Sequence, residues 1–141
     1  MMKFLLPVDG SNTSNKAVLN FIKLLDWYKE TPEIHLLNVQ YSLHGNAPML
    51  IDKNSINQYH QEKGMKELQA AREAMNKAGV TYQFHITVGD PAEMIVRYGA
   101  EKQCNQIVIG LRKLGAVKGL LLGSVASKVM QLSKIPMLLM K

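Results

Sequence analysis

The sequence predicts an α/β fold, a doubly wound and mostly parallel sheet of five strands alternating with four helices. Three observations carry that prediction. Short apolar segments of strand length alternate with segments of helical period along the 141 residues. The strand segments at 3–8, 106–109 and 136–140 are nearly continuous in apolar residues, as expected of strands buried on both faces. The length suits a single domain over 1–141, and a composition of 47% hydrophobic and 20% charged residues excludes disordered and fibrous classes. Strict alternation of this kind forces right-handed crossovers, with helices on both sides of the sheet.

Lys3-Phe-Leu-Leu-Pro-Val8 reads as the first strand, ended by the turn Asp9-Gly10-Ser11. Val18, Phe21, Ile22 and Leu25 then recur at helical spacing, so a helix is expected over 12–29, capped by Ser11 or Asn12 and stopped by Thr31-Pro32. Ile34, Leu36, Leu37 and Val39 mark the second strand, and 41–52, with Gly45, Asn46 and Pro48, reads as a loop. A long helix should occupy 53–78, with Ile56, Tyr59, Met65, Leu68, Ala71 and Met75 inward and Gly79 as its stop. Val80 to Val88 alternates apolar with polar residues, which suits a half-exposed strand at a sheet edge.

Asp90-Pro91-Ala92-Glu93 is a strong helix start, with a capping carboxylate and proline at the first helical position. Ala92, Ile95, Val96 and Gly99 form its inward stripe. Gln106 to Ile109 is the fourth strand, Ser124 to Leu132 a short helix with Val125, Val129 and Leu132 inward, and Pro136 to Met140 the fifth strand. No apolar run approaches the roughly 20 residues that span a bilayer. An acidic residue already at position 9 argues against a signal peptide, so the chain reads as cytoplasmic and free of the membrane.

The net charge of +6 is concentrated in one region. Residues 102–141 carry seven basic side chains and no acidic one, a bias that either attracts anions such as phosphate or forms a solvated basic face. Nucleic acid is disfavoured, because that region has no aromatic residue to stack on bases. The four histidines, His35, His44, His60 and His85, lack the short spacings of a metal site, and the single cysteine excludes an internal disulfide.

The segment from Gly110 to Ser124 holds four glycines with Arg112, Lys113 and Lys118. Glycines let backbone approach a ligand, and a helix opening at Gly123-Ser124 offers free amides and a hydroxyl, a combination suited to phosphate. It is not a Walker A loop, since Ala116 stands where the lysine belongs, and the dinucleotide fingerprint is absent after the first strand. Beyond the carboxyl ends of the strands in such a sheet, the point where strand order reverses is where ligands bind.

Pro7-Val8-Asp9-Gly10-Ser11, Gly89-Asp90-Pro91-Ala92-Glu93 and the segment from Ile107-Val-Ile-Gly110 to Gly123-Ser124-Val125 together resemble the universal stress protein family over essentially the whole chain. The resemblance implies a Rossmann-like sheet of order 3-2-1-4-5, a homodimer formed through the last strand, 136–140, and binding of ATP or AMP, with Mg2+ accompanying the phosphates. The family's nucleotide pattern is Gly, two residues, Gly, nine residues, then Gly and Ser or Thr. Gly110, Gly123 and Ser124 match it, while Lys113 stands at the second glycine, a departure that Gly115 close by could offset.

On this resemblance Pro7, Asp9 and the backbone at Val39 line the adenosine side, while Gly110, Gly123, Ser124 and Val125 hold the phosphates. Val8, Ile109, Arg112, Lys113 and Gly115 complete the set of candidate nucleotide-binding residues. Asp9 has an alternative role as a cap of the first helix. Two alternatives to a nucleotide sensor stay open: a member of the family that works through protein contacts without nucleotide, and a slow ATPase. For the latter, nothing in the sequence supplies a base to activate water at a γ-phosphate.

Overall fold

The computed structural model describes residues 1–43, 52–113 and 120–141. The chain runs β1 (Lys3–Pro7), α1 (Asn12–Leu24), a 3-10 turn (Leu25–Trp27), β2 (Glu33–Gln40), α2 (Lys53–Lys77), β3 (Gln83–Val88), α3 (Pro91–Glu101), β4 (Gln106–Gly110), α4 (Ser124–Leu132) and β5 (Met137–Met140). The five strands form one sheet in the order β3-β2-β1-β4-β5, parallel at every pairing. That is the 3-2-1-4-5 arrangement that the family resemblance implies, and it puts the reversal of strand order between β1 and β4.

Alternation along each strand divides the core in two. Phe4 and Leu6 of β1 turn to one side, with Ile34 and Leu36 of β2, and pack under α1 and α2 against Val18, Phe21, Leu68 and Met75. Leu5, Leu37 and Ile107 turn to the other side, against Ala92 and Ile95 of α3 and Val129 of α4. Each such fully buried side chain contributes roughly 1.5–3 kcal/mol of transfer free energy. Phe4 is the hub of the first layer, its ring 5.1 Å from Phe21 and 5.2 Å from Tyr28.

Those ring contacts explain the first departure from expectation. The helix foreseen to residue 29 ends at Leu24, and the 3-10 turn after it brings Leu25 and Tyr28 down onto the Phe4 layer. Packing of Tyr28 ends the helix earlier than Thr31-Pro32 would. In α2 the inward stripe is His60, Gly64, Leu68, Ala71 and Met75, while Tyr59 is 47% exposed and Ile56 and Met65 are half-buried. A Cβ at Gly64 would stand 2.8 Å from the Ile86 side chain, so the helix lies closest to the sheet there and fixes which side faces inward.

In α4, Ala126 and Val129 face inward, Val125 is half-buried and Leu132 is 49% exposed. The helix is nine residues long, and Ile135, on the following turn, packs in the layer in place of Leu132. β3 is an edge strand, as its alternation predicts, but it begins at Gln83 and not at Val80, and Phe84 and Val88 of its apolar face are themselves exposed; β5 forms the opposite edge. Between β4 and α4 the sequence suggests only a loop. Arg112–Lys113 instead pairs antiparallel with Leu120–Leu121 as a short ribbon. Lys118, His44 and the loop residues Gly45, Asn46 and Pro48 lie outside the described residues.

A polar cluster sits in the α3 layer. Buried His35 meets the Tyr98 hydroxyl at 2.9 Å through Nδ1 and the Glu33 carboxylate at 2.6 Å through Nε2. The hydrogen bond from His35 holds the Glu33 carboxyl below its ordinary range. Cys104 is buried beside this cluster, and burial pushes its thiol pKa up.

Candidate functional site

At the carboxyl ends of β1 and β4 the chain leaves the sheet on opposite courses, and a cleft opens where they part. Pro7, Val8 and Asp9 line it from β1, Val39 from β2, and Ile109, Gly110 and Arg112 from β4 and the ribbon beyond. Gly123, Ser124 and Val125 line it from the start of α4. The fold therefore brings ten of the twelve residues singled out in the sequence to one concavity. Lys113 is placed through its backbone, paired with Leu120, and Gly115 lies outside the described residues.

Local geometry at Asp9 follows from the turn. Asp9 Oδ1 accepts the Ser11 amide at 2.9 Å, and the Asp9 amide donates to Ser14 Oγ at 3.2 Å. Gly10 has φ +82°, in the left-handed region, and a Cβ there would lie 3.1 Å from the Glu67 backbone, so glycine is required on both counts. The cap of α1 is Ser11, whose Oγ accepts the Ser14 amide at 3.1 Å. Asp9 thus stays exposed at the rim with one carboxylate oxygen committed to the turn.

Across the cleft, β4 ends at Gly110, which packs directly on the first turn of α1. The sequence suggests glycine here so that backbone can approach a ligand; what the structure requires is close approach to the backbone of α1. Gly123 is different. It is the N-cap of α4, and among the described residues a Cβ there would find only Arg112 Nε, at 3.9 Å. Arg112 is exposed, so its guanidinium stands over the start of α4 at the solvent edge of the cleft.

Three helices begin at this cleft, and they are not equivalent. The first turns of α1 and α3 are closed by side chains, Ser11 on Ser14 and Asp90 on the Glu93 amide at 3.1 Å. α4 has no side-chain cap, so its leading amides point outward with a positive dipole end and a cation beside them. Lys128 of α4 reaches Asp90 Oδ2 at 3.0 Å and Glu93 Oε1 at 3.7 Å, tying the starts of α3 and α4 together. The Glu93 amide first, then Lys128, lowers the Asp90 carboxyl below its usual range, while Asp90 raises Lys128.

Several lining residues were not foreseen: Ser11, Thr13 and Ser14 from α1, Leu37 from β2, Tyr41 just beyond β2, Pro91 and Ile95 from α3, and Ala126 from α4. The run Ser11-Asn-Thr-Ser14 after the first strand was the available signal, since hydroxyls cluster where a helix starts at a switch point. Tyr41 is 66% exposed and its side chain lines the cleft. Together the arrangement offers an apolar floor, a carboxylate on one rim, and amides with a guanidinium on the other.

The model of the family described as the universal stress protein family matches residues 1–141. The chain is similar to universal stress protein YxiE of Bacillus subtilis, 30% identical over 147 residues that cover 99% of this chain and 98% of that one. Among solved structures it is similar to a universal stress protein family protein from Arabidopsis thaliana with AMP bound, at a TM-score of 0.73 and 20% identity over 100% of this chain and 92% of that one. It is also similar to a universal stress protein in complex with cAMP, at a TM-score of 0.66 and 22% identity over 99% of this chain and 96% of that one. At those identities the two structures share the fold.

Proposed function

Because this chain belongs to the universal stress protein family, we propose that it is a single-domain adenine-nucleotide-binding regulator, cytoplasmic and homodimeric, holding ATP or AMP in the cleft between β1 and β4. The observation that carries the reading is the uncapped start of α4 with Arg112 beside it, opposite the Asp9 turn. Phosphates suit the amides and guanidinium, because charge-assisted bonds at a helix N-terminus combine donors with the dipole. The ribose hydroxyls or the adenine amino group suit Asp9, whose second carboxylate oxygen is free of the turn. Pro7, Leu37, Val39 and Ile109 provide an apolar floor for the base and sugar.

Relatives of the same fold that hold AMP or cAMP support the class of ligand. Among the described residues no three His, Cys, Asp or Glu side chains gather to hold a metal ion. Mg2+ would therefore arrive on the phosphates of ATP, keeping most of its water. The cleft sets no described side chain as a base beside the α4 start, so the reading is of binding, with hydrolysis slow at most.

The homodimer rests on β5. It is the edge of the sheet, it consists of Met137-Leu-Leu-Met140, and Leu139 is 40% exposed, the kind of unpaired apolar edge that a second copy covers. No helix among the described residues is long and apolar enough to cross a membrane. The test is direct. The purified protein is denatured, any released small molecule is identified by mass spectrometry, and the emptied protein is titrated calorimetrically with ATP and AMP. Release of an adenine nucleotide or saturable binding is expected; the absence of both would sink the reading in favour of a member acting through protein contacts.

A further inference from the structure

Behind the cleft, on the α1–α2 side of the sheet, runs a chain of buried polar groups that the binding site does not touch. Asn38 is fully buried and its Nδ2 donates to the Val8 carbonyl at 2.9 Å. Gln40, also buried, uses Nε2 to reach Asn38 Oδ1 and Glu67 Oε1, both at 2.7 Å. Glu67 belongs to the middle of α2, and its backbone and side chain lie against Gly10, within 3.1–3.2 Å of where a Cβ would stand. The chain is thus closed at both ends on the turn that carries Asp9: at Val8, the residue before it, and at Gly10, the residue after.

Burying two amides and half-burying a carboxylate costs several kcal/mol unless all are paired, and apolar residues would fill that space more cheaply. The ladder between β1 and β2 continues as far as the Val8 amide, which donates to the Leu37 carbonyl at 2.8 Å. At the Val8 carbonyl the Asn38 side chain takes over. That substitution lets β1 leave the sheet at Asp9, while Glu67 blocks Gly10 from any other path.

We infer that Asn38, Gln40 and Glu67 are positioning residues, a relay that fixes the Val8–Gly10 turn and with it the direction of the Asp9 carboxylate. Its consequence for ligand affinity rests on the nucleotide reading above; the geometry of the turn does not.

Two variants test it, Gln40→Met, which keeps the volume and removes the amide, and Glu67→Ala, at a half-buried position on α2. Gln69→Ala, on the same helix with only an exposed partner, is the control. Amide hydrogen exchange reads the turn through the Ser11 N–H, which donates to Asp9 Oδ1. The relay predicts at least tenfold faster exchange at Ser11, with Leu5 and Leu36 in the core unchanged and the control like wild type. Unchanged Ser11 exchange in both variants overturns it, as does a proportional loss at Leu5 and Leu36, which would mark a merely structural role. If Gln40→Met fails to fold, Glu67→Ala decides alone.

Titration with ATP and AMP separates the two ideas. Where wild type binds, the variants should bind about tenfold more weakly, and wild-type affinity in a variant whose Ser11 exchange is faster would overturn the link to affinity. Where wild type binds neither, the nucleotide reading fails and the exchange data still decide the relay.

Discussion

Gly110 lies so close to Thr13 that an added Cβ would stand 2.8 Å from the Thr13 carbonyl oxygen and 3.1 Å from its methyl carbon. The two residues seam β4 to the first turn of α1 directly beneath the cleft. Gly110→Ala should therefore destabilise the protein by about 1–3 kcal/mol, the usual cost of overpacking. Among the described residues Gly123→Ala meets only Arg112, so it should stay within about 0.5 kcal/mol of wild type. Urea unfolding of the two variants side by side checks this. A small effect at Gly110 would mean that α1 shifts away freely.

Asp9 carries two roles that one pair of substitutions separates. Asp9→Asn keeps an oxygen for the Ser11 amide, whereas Asp9→Ala removes it. The alanine variant should lose about 0.5–1.5 kcal/mol of stability, the net worth of one hydrogen bond, and the asparagine variant much less. Both should bind nucleotide roughly tenfold more weakly, the size of a lost charge-assisted bond. Wild-type affinity in Asp9→Asn would leave Asp9 with the turn alone.

Tyr41 lines the cleft and is 66% exposed. Stacking of one base on an aromatic ring contributes about 1–3 kcal/mol. Tyr41→Ala should raise the Kd for AMP by at least fivefold, and Tyr41→Phe should leave it unchanged. Equal weakening by both would point to the hydroxyl instead of the ring.

The β5 edge gives a prediction about assembly. Leu139→Glu puts a charge on the exposed apolar strand, and analytical ultracentrifugation at micromolar concentration should show dimer for wild type and monomer for the variant. A monomeric wild type would contradict dimerisation through this strand.

Asp90 links stability to pH. Its folded pKa lies below the unfolded value, chiefly through the Glu93 amide and then Lys128, so its contribution is full above the ordinary aspartate range and vanishes as pH falls through the folded value. Lys128 is shifted the opposite way, so its share is lost only as pH rises above the ordinary lysine range. Thermal melts of Asp90→Asn should run below wild type at neutral pH and converge with it in strong acid. Parallel curves across the acid range would remove Asp90 as the titrating group.

The fold was legible because its signals are local: strand runs, the Asp90-Pro91 start and the edge alternation of 80–88 all act within a few residues. What the sequence could not show depends on contacts between distant segments. The early end of α1 comes from Tyr28 meeting Phe4, and the rotation of α2 comes from Gly64 approaching Ile86. At the site, the glycine spacing pointed to Gly110 and Gly123 but not to their different reasons for being glycine. Tyr41, after a strand with no motif around it, gave no signal at all. Asn38 and Gln40 carry no local signal in the sequence, and only the pairing with Glu67, on a distant helix, connects them.

The burial of Cys104 makes the protein its own probe of breathing motion. Its thiol is shut behind α3, next to Tyr98, and burial keeps it protonated, so a maleimide or disulfide reagent can react only while that seam is open. With one cysteine in the chain, every modified molecule records one opening at one known place. The labelling rate therefore measures how often the far end of α3 lifts from the sheet, without any engineered reporter. Comparing that rate with and without ATP would show whether filling the cleft at the start of α3 is felt at its other end.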